Sequence, residues 1–98
     1  MTITKTRSGT ELTVALEGRL DTTTAPELEQ ELIASMDGIE NLTLDLAGLD
    51  YISSAGLRVV LFAQRTMNKQ GSMKVTHVNE AVMEIFEVTG FSDVLTIE

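Results

Sequence analysis

The chain contains no cysteine, a single histidine, a single proline, and only 7 basic residues against 15 acidic ones. Each shortage removes a class of function. Without cysteine there is no disulfide framework and no thiolate chemistry, which suits a reducing cytoplasm. The lone His77 has no second ligand at metal-binding spacing, so it reads as an ordinary strand residue, and neither metal nor cofactor is expected. A formal net charge of -8 repels both nucleic acid and anionic membranes, which leaves a protein as the expected partner. No apolar run approaches transmembrane length, and Met1–Arg7 lacks the apolar segment of a signal peptide, so a cytoplasmic location is expected. There is no glycine-rich phosphate loop and no dinucleotide fingerprint. The stretch Ile52-Ser53-Ser54-Ala55-Gly56 lacks the first glycine of a nucleophile elbow. Catalysis is not expected.

What remains is the composition of an ordinary globule, 43% hydrophobic and 22% charged, in a length that suits one domain over residues 1–98. Residues 2–6 alternate around Ile3, and Leu12, Val14 and Leu16 alternate more firmly; Ser8-Gly9-Thr10 between them predicts a hairpin. The chain is expected to leave the sheet at Gly18–Asp21. A helix follows from Ala25 to about Met36, with Pro26 in its first turn, an upstream threonine as cap, and Leu28, Leu32, Ile33 and Met36 in its apolar stripe. Asn41–Leu46 alternates as a strand, with Asp45 expected close to the turn that follows. A second helix carries Leu57, Val60, Leu61 and Met67 inward and ends at Gly71. Met73–Val78 reads as a strand, Asn79 as a cap, and Glu80–Val88 as a third helix; Val94–Ile97 makes a short last strand or tail. Strands alternating with helices predict an α/β fold whose mixed sheet contains parallel pairs.

The stretch of most chemical interest is Asp50–Leu57. Turns at the carboxyl ends of strands are where open α/β sheets present ligands. Ser53 or Ser54 there can cap the second helix, and a phosphate on either hydroxyl would sit at the positive end of the helix dipole. Local chemistry leaves both readings open, a cap or a modified serine. Along the same helix, Arg58, Phe62, Arg65 and Lys69 share one side, either as a solvated face or as a docking face.

Three separated marks carry a resemblance: Val14–Asp21 with its Gly-Arg-Leu-Asp; Leu44-Asp45-Leu46 followed by Leu49–Leu57; and Asn79–Phe86 followed by Thr89-Gly90-Phe91. In this order and spacing the chain resembles a STAS domain of the anti-sigma factor antagonist type, over essentially its whole length. The resemblance implies a mixed sheet of four to five strands, opened by an antiparallel hairpin and backed by helices. It implies no catalytic residues. It further implies partner switching, in which the unphosphorylated protein binds an anti-sigma factor that is also a serine kinase of the ATP-binding, histidine-kinase-like fold, and so frees the sigma factor. Phosphorylation switches this off and a serine phosphatase restores it. The modified serine aligns with Ser54, Ser53 being the alternative. Some relatives carry aspartate directly before the phosphoserine, where this chain has Ser53. Asp21, Ser53, Ala55, Gly56 and Leu57 are expected near the site, and Arg58 and Arg65 on the partner face. The alternative function is a STAS adaptor subunit of a transport or signalling complex, in which Ser54 only caps a helix.

Overall fold

The computed structural model describes residues Met1–Glu98. The two alternating stretches form a hairpin, β1 (Thr2–Ser8) and β2 (Glu11–Leu20), with register running from Thr2↔Glu17 to Ser8↔Glu11. There follow α1 (Ala25–Ser35), β3 (Asn41–Ile52), α2 (Ser54–Gln70), β4 (Ser72–Thr76), α3 (Glu80–Val88) and a 3-10 turn at Phe91–Asp93. The sheet order is β1-β2-β3-β4; β1 and β2 are antiparallel, while β2/β3 and β3/β4 are parallel. This is the mixed α/β sheet that the sequence predicts. The last stretch adds a single bridge, Ile97 to Val75, rather than a full fifth strand.

Register explains the core. Leu12, Leu42 and Met73 lie side by side across three strands, as do Val14, Leu44 and Val75, and all six are buried. They join Leu28 and Leu32 of α1, Val60, Ala63 and Met67 of α2, and Val82 and Phe86 of α3 in one apolar cluster. The helices therefore cover one face of the sheet. On the other face the row Thr13–Thr43–Lys74 stays partly or fully exposed, the alternation typical of a sheet with one wet side.

Several expectations are corrected. β2 does not end at Gly18; it stays paired to Leu20, which is wholly buried. β3 does not end at Leu46. Register shifts between Ala15 and Glu17 and between Gly18 and Arg19 insert extra residues into β3, and beyond Leu46 the buried positions are Leu49 and Ile52. A spacing of three in place of two erases the alternation that marks a strand. His77 lies past the end of β4 with φ 57°, its Nδ1 3.0 Å from Asp45 Oδ1. Ile33 is 58% exposed, because it stands about 100° around α1 from the buried Leu32. Leu61 is only half-buried and lies outside the core cluster; Val59 and Ala63 take the inward positions instead.

The first two helices run in the same direction. At their carboxyl ends Gln70 Nε2 donates to the carbonyls of Met36 (2.7 Å) and Ile39 (2.6 Å). At their amino ends Ala25 and Pro26 share a groove with Ala55 and Arg58. Both positive helix ends thus meet at one corner of the domain.

Candidate functional site

The structure separates the two serines. Ser53 is the N-cap of α2, in extended conformation, and its Oγ accepts a long bond from the Gly56 N–H at 3.4 Å. Its own N–H donates to the Leu20 carbonyl at 2.9 Å, so the start of α2 is tied to the end of β2. Ser54 is the first residue of the helix; it is exposed, and its hydroxyl makes no hydrogen bond within the protein. The cap is Ser53. Ser54 is left as a free hydroxyl at the positive end of the dipole, where an added phosphate breaks no bond of the fold. Below it Gly56 and Leu57 are buried, and a Cβ at Gly56 would stand 2.7 Å from Leu20 Cγ and 2.9 Å from Ile52 Cγ1. The helix start is pressed onto the strand ends.

Asp21 comes to the same corner because β2 runs on to Leu20. Its Oδ1 accepts from the Thr23 hydroxyl (2.7 Å) and from the N–H groups of Thr23 (3.0 Å) and Thr24 (3.2 Å). Asp21 thereby does the work expected of a threonine. Thr24 occupies the N-cap position of α1 without a capping bond, its hydroxyl accepting from the Asp21 N–H and donating to the Arg19 carbonyl, each at 2.8 Å. The Thr23 hydroxyl bond, helped by the two backbone N–H groups, holds the Asp21 carboxyl below its ordinary range and keeps it ionised. A lowered folded-state value means that this turn is favoured above the unfolded value and released as pH falls through the folded one. Thr23→Ala is expected to move the Asp21 titration upward, towards an ordinary aspartate, without moving other carboxylates. Carboxyl-carbon chemical shifts followed against pH measure it directly.

Two residues of this corner are not singled out by the sequence. Arg19 pairs with Tyr51 across β2 and β3, its guanidinium carbon 4.4 Å from the ring centroid, and its Nε lies 3.8 Å from Asp21 Oδ2. Such a stack contributes about 0.5–1 kcal/mol at an exposed site. Arg19 lies in the Gly-Arg-Leu-Asp mark and Tyr51 in the Asp50–Leu57 stretch, but seeing them as a pair requires knowing that β3 continues past its bulges. Of the expected site residues, Asp21, Ser53, Ser54, Ala55, Gly56, Leu57 and Arg58 are gathered here, Ala55 and Arg58 lining the groove against Thr22 and Pro26. Arg65 is two turns further along α2, exposed. Asp45 is not part of the site: it bonds His77 and accepts from the Ala47 N–H at 3.0 Å, with the rest of β3 between it and Ser53. No group of three or more His, Cys, Asp or Glu residues is placed to hold a metal, and no helix is long and apolar enough to cross a membrane.

A mixed sheet with helices on one face and a free serine opening the second helix defines a small α/β domain whose candidate site is a surface at the helix ends. A sequence model of the family described as "Mlab, STAS domain" matches residues 3–96. The chain belongs to the STAS domain family. It is 40% identical over 88 residues to BtrV of Bordetella bronchiseptica, provisionally named an anti-sigma factor antagonist, covering 88% of this chain and 76% of that protein. An anti-sigma factor antagonist from Mycobacterium paratuberculosis superposes with a TM-score of 0.88 at 24% identity, over 98% of this chain and 83% of that one. The Bacillus cell fate determinant SpoIIAA has been solved in both states. Its unphosphorylated form, an anti-sigma factor antagonist, gives a TM-score of 0.86 at 14% identity, covering 99% of this chain and 88% of its own. Its phosphorylated form gives 0.77 at 13%, covering 99% and 91%. At these identities the solved structures establish the fold.

Proposed function

We propose that this protein is a cytoplasmic anti-sigma factor antagonist switched by phosphorylation of Ser54. The unphosphorylated form binds an anti-sigma factor that is also a serine kinase of the histidine-kinase-like ATP-binding fold, and the sigma factor is released. The kinase transfers the γ-phosphoryl group of ATP to Ser54 Oγ, with loss of the hydroxyl proton and departure of ADP. A serine phosphatase hydrolyses the phosphomonoester and resets the cycle. The observation that carries the reading is the exposed, unbonded Ser54 hydroxyl beside a different serine that already caps the helix. The name of the BtrV relative supports the same reading, as does a shared fold that in SpoIIAA exists with and without phosphate.

Incubation with a candidate kinase and ATP, read by intact mass, tests the site. The wild type is expected to gain one phosphate and Ser54→Ala none. A phosphate persisting on Ser54→Ala and lost in Ser53→Ala would move the site by one residue, which the half-buried, capping position of Ser53 disfavours. A second reading, a STAS adaptor subunit of a transport or signalling complex that needs no phosphate, draws on the family description, which names Mlab and not an antagonist. Under that reading a partner binds and no kinase modifies the chain.

A further inference from the structure

The charge of this molecule is divided unevenly among its helices. α1 carries Glu27, Glu29 and Glu31, and α3 carries Glu80, Glu84 and Glu87, whereas the 17 residues of α2 include no carboxylate at all. The pairing of the cations is equally uneven. Lys5 is bound to Glu31, Arg19 to Asp21 and Lys74 to Glu98, while Arg7 Nε donates to the Gly9 carbonyl. The three that remain, Arg58, Arg65 and Lys69, make no ion pair or hydrogen bond, and all three are exposed on α2. At 3.6 residues per turn, Ser54, Arg58, Leu61, Phe62, Arg65 and Lys69 fall within about 100° of the helix circumference. The buried residues Gly56, Val60, Ala63 and Met67 fall on the opposite side. Leu61, half-buried and outside the core, and Phe62, half-buried and partly packed against the core, thus form an apolar step between cations, with Ser54 at the head of the row.

We infer that this outer face of α2 is a docking strip for an acidic protein surface that carries its own apolar ridge, Leu61 and Phe62 supplying the apolar contact and Arg58, Arg65 and Lys69 the charge. A protein carrying -8 overall has no reason in folding to collect three of its four cations that lack an acidic partner on one helix free of acids, and self-repulsion between them slightly disfavours that helix. Complementarity to an acidic surface accounts for the arrangement. An extended polyanion such as a nucleic acid or an anionic bilayer fits less well, because beyond the strip it meets the acidic remainder of the surface within about one Debye length. The strip rests on the phospho-switch reading only for the role of Ser54. A phosphate there stands one turn from Arg58, at the (i, i+4) spacing that favours ion pairing, and takes the first cation of the strip away from the partner.

The test uses the whole chain and a defined probe, a fluorescein-labelled helical peptide with a leucine stripe and glutamates elsewhere, read by anisotropy and by amide shift mapping on isotope-labelled protein. Saturable binding is expected, with shifts on the outer face of α2. Arg65→Glu/Lys69→Glu is expected to weaken the probe about tenfold or more, whereas Lys5→Glu/Lys74→Glu, the same charge change off the strip, alters it less than about twofold. Circular dichroism checks that both variants fold. Absence of saturable binding, shifts centred on α3 or on the open sheet face, or equal losses in the two variants overturns the proposal. Tighter binding to phosphatidylglycerol vesicles or to a single-stranded oligonucleotide than to the peptide overturns it too. If the peptide seats on α2 and no kinase modifies Ser54, the docking strip stands and the phospho-switch fails. If Ser54 is phosphorylated and the peptide does not bind, the strip fails and the switch stands.

Discussion

Protein phosphorylated on Ser54 is expected to bind its anti-sigma partner about a hundredfold more weakly than unmodified protein, and to melt at nearly the same temperature. Both halves follow from where the hydroxyl sits. In the free domain the phosphate brings about -1.5 to -2 charges to an exposed helix start whose dipole offsets them by about 0.3–1 kcal/mol. It displaces no hydrogen bond, because Ser54 makes none and Ser53 retains the cap. In the complex the same group must be desolvated or must face whatever the partner places over Arg58, and the ionised Asp21 shares its corner. Burying such a charge without a partner costs several kcal/mol, and about 2.8 kcal/mol already amounts to a hundredfold. Calorimetric titration of the two forms with the candidate anti-sigma factor, beside their thermal melts, gives both quantities. Equal affinities would transfer the protein to the adaptor reading; a large fall in melting temperature would mean that Ser54 has a structural partner after all.

How much of this was legible beforehand can be judged at particular residues. The hairpin, all three helices and the parallel strands show in hydrophobic spacing, because most of their core residues obey a single period. The end of β3 does not, because its two bulges shift the buried positions to Leu46, Leu49 and Ile52, and a spacing of three breaks the two-residue alternation by which a strand is read. The broken alternation hides two further facts. It conceals the Arg19–Tyr51 pair, which exists only because β2 and β3 stay paired to their ends across two register shifts. It also leaves Asp45 looking like a neighbour of the serine turn, when the rest of β3 separates them. Which of Ser53 and Ser54 caps the helix was out of reach of local chemistry, although the family resemblance aligns the modified serine with Ser54. Adjacent serines before a helix are chemically equivalent in sequence, and only the helix phase decides which one caps. The serine turn itself was visible, since residues 50–57 are contiguous and their spacing is local.

The largest loss of stability from a single methyl group is expected at Gly71, in Gly71→Ala. The sequence marks this glycine as a helix terminator, and its N–H does close α2 by donating to the Met67 carbonyl at 2.7 Å. Its φ of 173° is nevertheless ordinary extended backbone that any residue adopts. Space is what requires glycine here. A Cβ would overlap the Glu40 carbonyl oxygen and lie 2.6 Å from its carbon and 2.8 Å from Glu40 Cα. Those are main-chain atoms with nowhere to go. The N–H groups of Glu40 and Asn41 both donate to the Thr10 carbonyl (2.8 and 3.2 Å), and the Glu40 carbonyl accepts from the Ser72 N–H at 2.8 Å. Relief must therefore part the starts of β3 and β4 or lift the end of α2 off α1. Overpacking of this kind costs about 3 kcal/mol or more, a large share of the roughly 5–15 kcal/mol that holds a domain of this size. The corresponding fall in melting temperature is about 12 °C or more. Gly56→Ala provides the contrast. There the obstacles are the buried side chains of Leu20 (Cγ at 2.7 Å) and Ile52 (Cγ1 at 2.9 Å) and the Leu20 carbonyl at 3.0 Å, none as close as the Glu40 main chain stands at Gly71, so about 1–3 kcal/mol is expected. Its larger effect should fall on Ser54, because the start of α2 must shift away from the strand ends that position it. Urea unfolding of both variants, with the rate of Ser54 phosphorylation measured alongside, separates the two roles. Gly71→Ala should lose the more stability yet be modified normally where folded, whereas Gly56→Ala should lose less stability and be modified more slowly. A Gly71→Ala protein within about 1 kcal/mol of wild type would mean that the β3–β4 corner is softer than its hydrogen bonds imply.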